Sequence, residues 1–158
     1  MSLHRLHSAG HLLDVCIANI GWGHLKPGKA YHFPDGPFVE YQGTVPQNEL
    51  QIKQKELEAE ANNLISKGEK VSVSTFPYEE ARLLCGGSIP DYIPKGSTPR
   101  IVKFGENPGC PCGGTHVSDV SEIKSLKVLY PLPRVLRGPP DKNITSFALT
   151  IFLYNLRF

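Results

Sequence analysis

The sequence predicts a two-layer α+β fold, with helices packed on a mainly antiparallel sheet. Three observations carry this. Two stretches place apolar residues at three- and four-residue steps, as amphipathic helices do. Short β-branched or aromatic runs lie between and after them, bounded by turn residues. The 158 residues include 14 prolines and 15 glycines, which keep helices short and few.

The elements follow in order. Residues 3–19 read as a helix, with Leu6, Leu13, Ile17 and Ile20 in its stripe and Gly21 and Gly23 at its end. Residues 31–33 and 38–42 read as two strands joined by Pro34, Asp35, Gly36 and Pro37, a hairpin. Asn48, with Gln51 three residues on, has the spacing of a capping box, and Gly68 can close the helix it opens. Leu50, Leu57, Ala61, Leu64 and Ile65 form the stripe of that helix, and Glu49, Lys53, Lys55, Glu56 and Glu58 its solvated face. Residues 71–76 alternate like a strand, and Pro77 opens a short helix through Leu84, with Glu79 and Glu80 where the helix dipole favours acids. Residues 100–104 read as a strand, 107–114 as a loop and 123–129 as another strand.

Composition narrows the function classes. Lys and Arg number 17 against 15 Asp and Glu, a formal net charge of +2. This excludes a histone-like basic protein and an acidic disordered tail, while leaving room for a local nucleic-acid surface. The N-terminus does not read as a secretory signal, and the most apolar stretch, residues 144–153, is shorter than the roughly 20 residues a bilayer span needs. Cys16, Cys85, Cys110 and Cys112 do not space like a disulfide framework, so a reducing, cytoplasmic compartment is expected. Cys16 reads as a core residue and Cys85 as inert.

Two pairs of residues carry chemistry. His7 and His11 stand four apart on the first helix, on one face with Cβ atoms about 5–6 Å apart, close enough to share an ion. Ser8, Ala9 and Gly10 lie between them, so the glutamate of a zincin protease is missing. Cys112 and His116 are also four apart, joined through Gly113 and Gly114, whose freedom lets both side chains turn toward one ion. Three imidazole nitrogens and one thiolate make a ligand set that suits Zn²⁺. Cys110 is an alternative sulfur ligand, with Cys112 favoured by its spacing from His116.

In wording as well as spacing, the two pairs resemble the editing domain of alanyl-tRNA synthetases, and more closely the free-standing AlaX-type alanyl-tRNA editing proteins. His7-Ser-Ala-Gly-His11 followed by Leu12 and Leu13 is similar to the family's H-x-x-x-H motif. Cys112-Gly-Gly-Thr-His116 followed by Val117 is similar to its C-x-x-x-H motif, in the alanyl rather than the threonyl wording, and residues 31–43 resemble its hairpin. The resemblance covers about residues 3–128 and implies an aminoacyl-tRNA deacylase. Such a hydrolase removes serine or glycine from mischarged tRNA(Ala) at the aminoacylated 3′ end, in trans, with no membrane or DNA partner. It implies zinc on His7, His11, Cys112 and His116. Neither motif contains an obvious general base, so the ion is expected to orient the substrate more than to activate water.

Ser8 and Thr115, each beside a ligand, are expected to line the pocket and meet the serine hydroxyl. His4, His24 and His32 read as surface or structural residues. Lys26 with Lys29, Lys95 with Arg100 and Lys103, and Lys124 with Lys127 are the basic clusters available to phosphates. A non-catalytic, zinc-stabilised module that binds tRNA or a synthetase is the alternative function. The expected domain is 1–128, with 129–158 an atypical C-terminal tail such as altered splicing would produce. Pro131, Pro133, Pro139 and Pro140 oppose regular structure there, and residues 144–158 read as a strand or an unpaired end.

Overall fold

The first helix, α1 (Leu3–Ile17), forms on the expected stripe and buries Leu6, Ala9, Leu12, Leu13, Cys16 and Ile17. It ends two residues sooner than the periodicity suggests. A wider turn, Ala18–Trp22, follows, in which Gly21 takes a φ of +88°, a conformation open to glycine and costly for other residues. A computed structural model of the chain describes residues 3–129 and 143–154, and all statements below concern those residues.

The hairpin consists of β1 (Lys26–Tyr31) and β2 (Phe38–Pro46), antiparallel, with Tyr31 opposite Phe38. The first strand begins five residues before the expected Tyr31. Its residues are all exposed and its register shifts between Pro27 and Ala30, so no apolar alternation marks it in the sequence. A tight turn, Gln47–Glu49, precedes α2 (Leu50–Lys67). Glu49 takes the N-cap position without a side-chain cap, so the expected Asn48–Gln51 box is not what starts this helix. The box forms elsewhere, where Asp119 and Glu122 cap the short turn Val120–Ile123. Gly68, at φ +66°, ends α2 as expected, its N–H donating to the Leu64 carbonyl.

Four shorter elements follow: β3 (Val71–Thr75), α3 (Tyr78–Leu84) behind Pro77, β4 (Arg100–Phe104) and the two-residue β5 (Cys110–Pro111). Then come β6 (Ser125–Leu129) and β7 (Asn143–Tyr154). The class is α+β, and all strand pairs are antiparallel, but the strands divide into two sheets, β1-β2-β7-β6 and β3-β4-β5. Of the two readings open for the C-terminal run, residues 143–154 take the strand. β7 lies between β2 and β6, with Val39 opposite Leu149 and Val128 opposite Ile151. The four prolines between residues 131 and 140 lie outside the described residues, as do residues 155–158.

The core lies between the four-stranded sheet and the two long helices. Val39, Tyr41, Val45, Leu126, Val128, Leu149, Ile151 and Leu153 face Leu6, Leu13, Leu57, Ala61 and their neighbours. The helix α2 also does polar work. Asn62 Nδ2 donates to the Leu126 carbonyl at 2.7 Å, and its Oδ1 accepts from Leu126 N–H at 3.0 Å. Gln54 donates to the Val128 carbonyl at 2.8 Å, and Glu58 accepts from Val128 N–H at 3.1 Å. Glu58 is therefore drawn off the solvated face expected for it. These side chains stand where a fifth strand would pair along β6.

Ile151 is fully buried in the central strand. Replacing it with alanine removes three carbons from a packed site, and Ile151→Ala should lower unfolding free energy by about 2–5 kcal/mol. Urea denaturation checks this. A loss below about 0.5 kcal/mol would show that the C-terminal strand is not part of the folded core.

Candidate metal centre

One helical turn separates His7 from His11, so α1 presents both imidazoles on one side. The other two ligands come from the loop after β5, which several bonds fix in place. Cys112 N–H donates to the Arg100 carbonyl at 3.0 Å. Arg100 Nη1 returns two bonds, to the carbonyls of Cys112 at 2.6 Å and Gly114 at 2.8 Å. Val117 N–H donates to Ser8 Oγ at 3.0 Å, which stitches the end of the loop onto α1. Gly114 is required sterically: a Cβ there would overlap the His7 ring, 2.6 Å from Nδ1.

These ties bring His7, His11, Cys112 and His116 together, with one ligand atom from each lying within 4.8 Å of every other. His7 Nε2 is 3.3 Å from His11 Nε2 and 3.3 Å from Cys112 Sγ. A tetrahedral ion with bonds of about 2.0–2.3 Å needs its ligand atoms about 3.3–3.8 Å apart, so these separations suit one. The outward-facing ring nitrogens are also held. His7 Nδ1 lies 3.2 Å from the Thr115 carbonyl, an acceptor for the ring N–H of the tautomer that leaves Nε2 free to bind an ion. His116 Nδ1 lies 3.3 Å from Ser8 Oγ. His116 Nε2 is buried with no hydrogen-bond partner among the described residues, the situation a bound cation would relieve. His11 Nδ1 faces Cys110 Sγ at 3.2 Å and Asp14 Oδ2 at 3.5 Å. Asp14 in turn accepts from the buried Tyr41 hydroxyl at 2.8 Å, a carboxylate support of the kind metal-bound histidines use. The residues fit a metal ion.

Charge is distributed to match. Burial resists ionisation of the Cys112 thiol, but the neighbouring imidazoles of His11, His116 and His7 bring it down to about 3. Burial also opposes the His11 cation, but Asp14, Cys110 and Cys112 push it up to about 12. Without an ion the pair is thus a thiolate beside an imidazolium, and binding a cation must displace a proton. Burial lowers His116, with Cys112 opposing. All four ligand residues are half-buried, neither sealed in the core nor fully exposed.

The sequence is similar to known proteins. Residues 100–142 match the family model described as the threonyl and alanyl tRNA synthetase second additional domain. The alanine–tRNA ligase of Petrotoga mobilis is 31% identical over 124 residues, 78% of this chain and 14% of the ligase. That of Carboxydothermus hydrogenoformans is 30% identical over 133 residues, 82% of this chain and 14% of the ligase. The chain is thus similar to the threonyl and alanyl tRNA synthetase second additional domain over residues 100–142, and to alanine–tRNA ligases over most of its length. The ligase of Natranaerobius thermophilus is 29% identical over 123 residues, 77% of this chain and 13% of the ligase. The chain thus spans about one-seventh of the length of the relatives it matches.

The fold places the residues singled out in the sequence unevenly. Ser8 is completely buried, its oxygen committed to Val117 and His116, whereas Thr115 is exposed. Cys110 stands beside His11 on the side away from the other ligands' shared centre, while Cys112 joins the cluster. Arg100, grouped by sequence with Lys95 and Lys103, spends Nη1 on the ligand loop instead of facing outward. His24 is an exposed residue beside the Thr44 carbonyl. His32 is different: its ring centroid is 4.7 Å from that of His7, and burial with the nearby His7 and His11 lowers it to about 4. Phe104 of β4 completes the surroundings, edge-on to His116 at 6.2 Å.

Two outcomes follow for this domain. Gly114 does not use positive φ, so Gly114→Ala keeps the backbone and acts through the His7 ring alone. It should weaken metal binding by about 10–100-fold, the range seen when supporting groups of a metal site are disturbed. Competition against a chromophoric chelator measures it, and an unchanged affinity would remove His7 from the ligand set.

The second concerns pH in the metal-free protein. Cys112 sits near 3 folded against 9.0 ordinarily, so its contribution grows as pH rises from 3 and is complete above 9.0. His11 sits near 12 folded against 6.5 ordinarily, so its contribution is complete below 6.5 and is lost toward 12. Together they give a plateau between pH 6.5 and 9.0, with a fall on either side. Urea midpoints in chelator across that range test it; a steady decline from 6.5 to 9.0 would contradict the pairing.

Proposed function

We propose that this chain is a metal-dependent aminoacyl-tRNA deacylase, a carboxylic ester hydrolase that removes serine or glycine from mischarged tRNA(Ala). The observation that carries the reading is the half-exposed cluster of His7, His11, Cys112 and His116, able to hold an ion that substrate can reach. The similarity to alanine–tRNA ligases supports the choice of tRNA(Ala). Zinc is the proposed metal, because three imidazoles and one thiolate at tetrahedral spacing are its preferred set. A bound zinc supplies a cation beside the ester, able to polarise its carbonyl or to lower the pKa of a water.

The chain's own residues do the rest. Thr115 and Ser8 are the proposed pocket residues, in different ways. Thr115 is exposed next to His116 and can meet the hydroxyl of a seryl group, whereas Ser8 is buried and acts by fixing the orientation of His116. Four protein ligands already make a tetrahedron, so the ion serves first to orient the acyl group. Exposed Lys26 and Lys29 on β1 and Lys124 and Lys127 near β6 are the groups proposed to meet phosphates. With a net charge of only +2, that recognition is local and weakens steeply with salt. No helix among the described residues is long and apolar enough to cross a membrane, in keeping with the proposed cytoplasmic setting. Residues 1–128 are the proposed editing domain, and 129–158 a variant C-terminus that contributes β7.

The test is release of amino acid from Ser-tRNA(Ala), Gly-tRNA(Ala) and Ala-tRNA(Ala), with zinc and with a chelator. Serine or glycine should be released faster than alanine, and chelation should lower the rate at least about tenfold. His11→Ala should lose both zinc and turnover. A His11→Ala protein that lacks zinc yet keeps full turnover would leave the cluster a structural clasp.

A further inference from the structure

His32 is the residue of the site that neither motif contains. It follows β1 directly, so the hairpin brings it to the cluster from a third direction, beside the ligands of α1 and the 112–116 loop. Room for it is made by Gly10. A Cβ at Gly10 would lie 2.5 Å from His32 Cε1 and 3.1 Å from Nδ1, so the ring rests against the helix at its one residue without a side chain. An interior glycine costs a helix about 1 kcal/mol relative to alanine. Here it admits an imidazole.

That imidazole is not held as a structural histidine is. Nδ1 is buried without a hydrogen-bond partner among the described residues. The other three histidines of the site each have Nδ1 beside a protein acceptor or thiol. Nor is His32 among the atoms that could share the ion. A phenylalanine would fill the same space with no unpaired nitrogen, so the polar ring is unexplained by packing. The residue is half-buried, so part of it is accessible to a ligand.

We infer that His32 is a substrate-binding residue, whose imidazole hydrogen-bonds the polar groups of the aminoacyl moiety and seats the ester against the cluster. This rests on the hydrolase reading and adds to it a contact from outside both ligand motifs. His7 then has two neighbours with separate tasks: the Thr115 carbonyl orients it, and His32 covers it.

The test uses the full chain with zinc and two variants. His32→Phe keeps a ring of similar size and removes the nitrogens, while His32→Gln keeps hydrogen-bonding capacity. The probe is a seryl group joined by an amide to 3′-amino-3′-deoxyadenosine, which binds without turnover. His32→Phe should retain one zinc per chain, bind the probe about tenfold or more weakly, and raise KM for Ser-tRNA(Ala) more than it lowers kcat; His32→Gln should recover part of both. His32→Phe with wild-type probe affinity overturns the inference. So does loss of zinc in His32→Phe, which would make the residue part of the metal scaffold. If the unaltered protein binds the probe but releases no amino acid, the hydrolase reading fails while the probe comparison still decides His32. If it does not bind the probe, both fall.

Discussion

The site depends on one contact across 105 residues of sequence, between Cys112 Sγ and His7 Nε2. Closing so long a loop is entropically expensive, and a single sulfur–nitrogen approach cannot offset that cost. The surrounding bonds make it a consequence of folding instead. Ser8 receives Val117, Arg100 grips two loop carbonyls, and Arg5 Nη2 donates to the Ile123 carbonyl at 2.6 Å. The helix and loop are thus held together by bonds that involve no ligand atom of an ion. An ion bound here shares the assembly of its ligands with those bonds and with the core.

The half of the site that was legible in the sequence is the half written at fixed spacing. Helical periodicity alone puts His7 and His11 side by side, and two glycines between Cys112 and His116 announce a loop that folds back. What supports those ligands was not legible, because it depends on pairing between distant segments. Nothing in the run of Lys95, Arg100 and Lys103 distinguishes the one side chain that turns inward, since β4 alternates and only its pairing with β3 and β5 settles which face is which. His32 reads as structural or exposed in the sequence for the same reason. Its partner is Gly10, and a helix-interior glycine is the only sign of it, intelligible once the hairpin is seen to lie against that turn.

The fold was legible in class and incomplete in arrangement. Apolar periodicity located α1 and α2 because both bury a stripe. β1 has no buried residue, so its start carried no signal. The division into two sheets, and the place of β7 between β2 and β6, are choices of pairing that local composition does not encode.

The polar ladder on α2 bears on how the molecule behaves in company. A strand edge leaves N–H and C=O groups free to recruit another chain. On β6, Asn62, Gln54 and Glu58 satisfy the groups of Leu126 and Val128, so the helix occupies the place an intruding strand would take. At the opposite border, β1 carries Lys26, Lys29 and Pro27 with a break in register, features that discourage strand addition. The four-stranded sheet is therefore closed to polymerisation by two different devices. One is charge and irregularity, and the other is a row of side chains imitating a backbone.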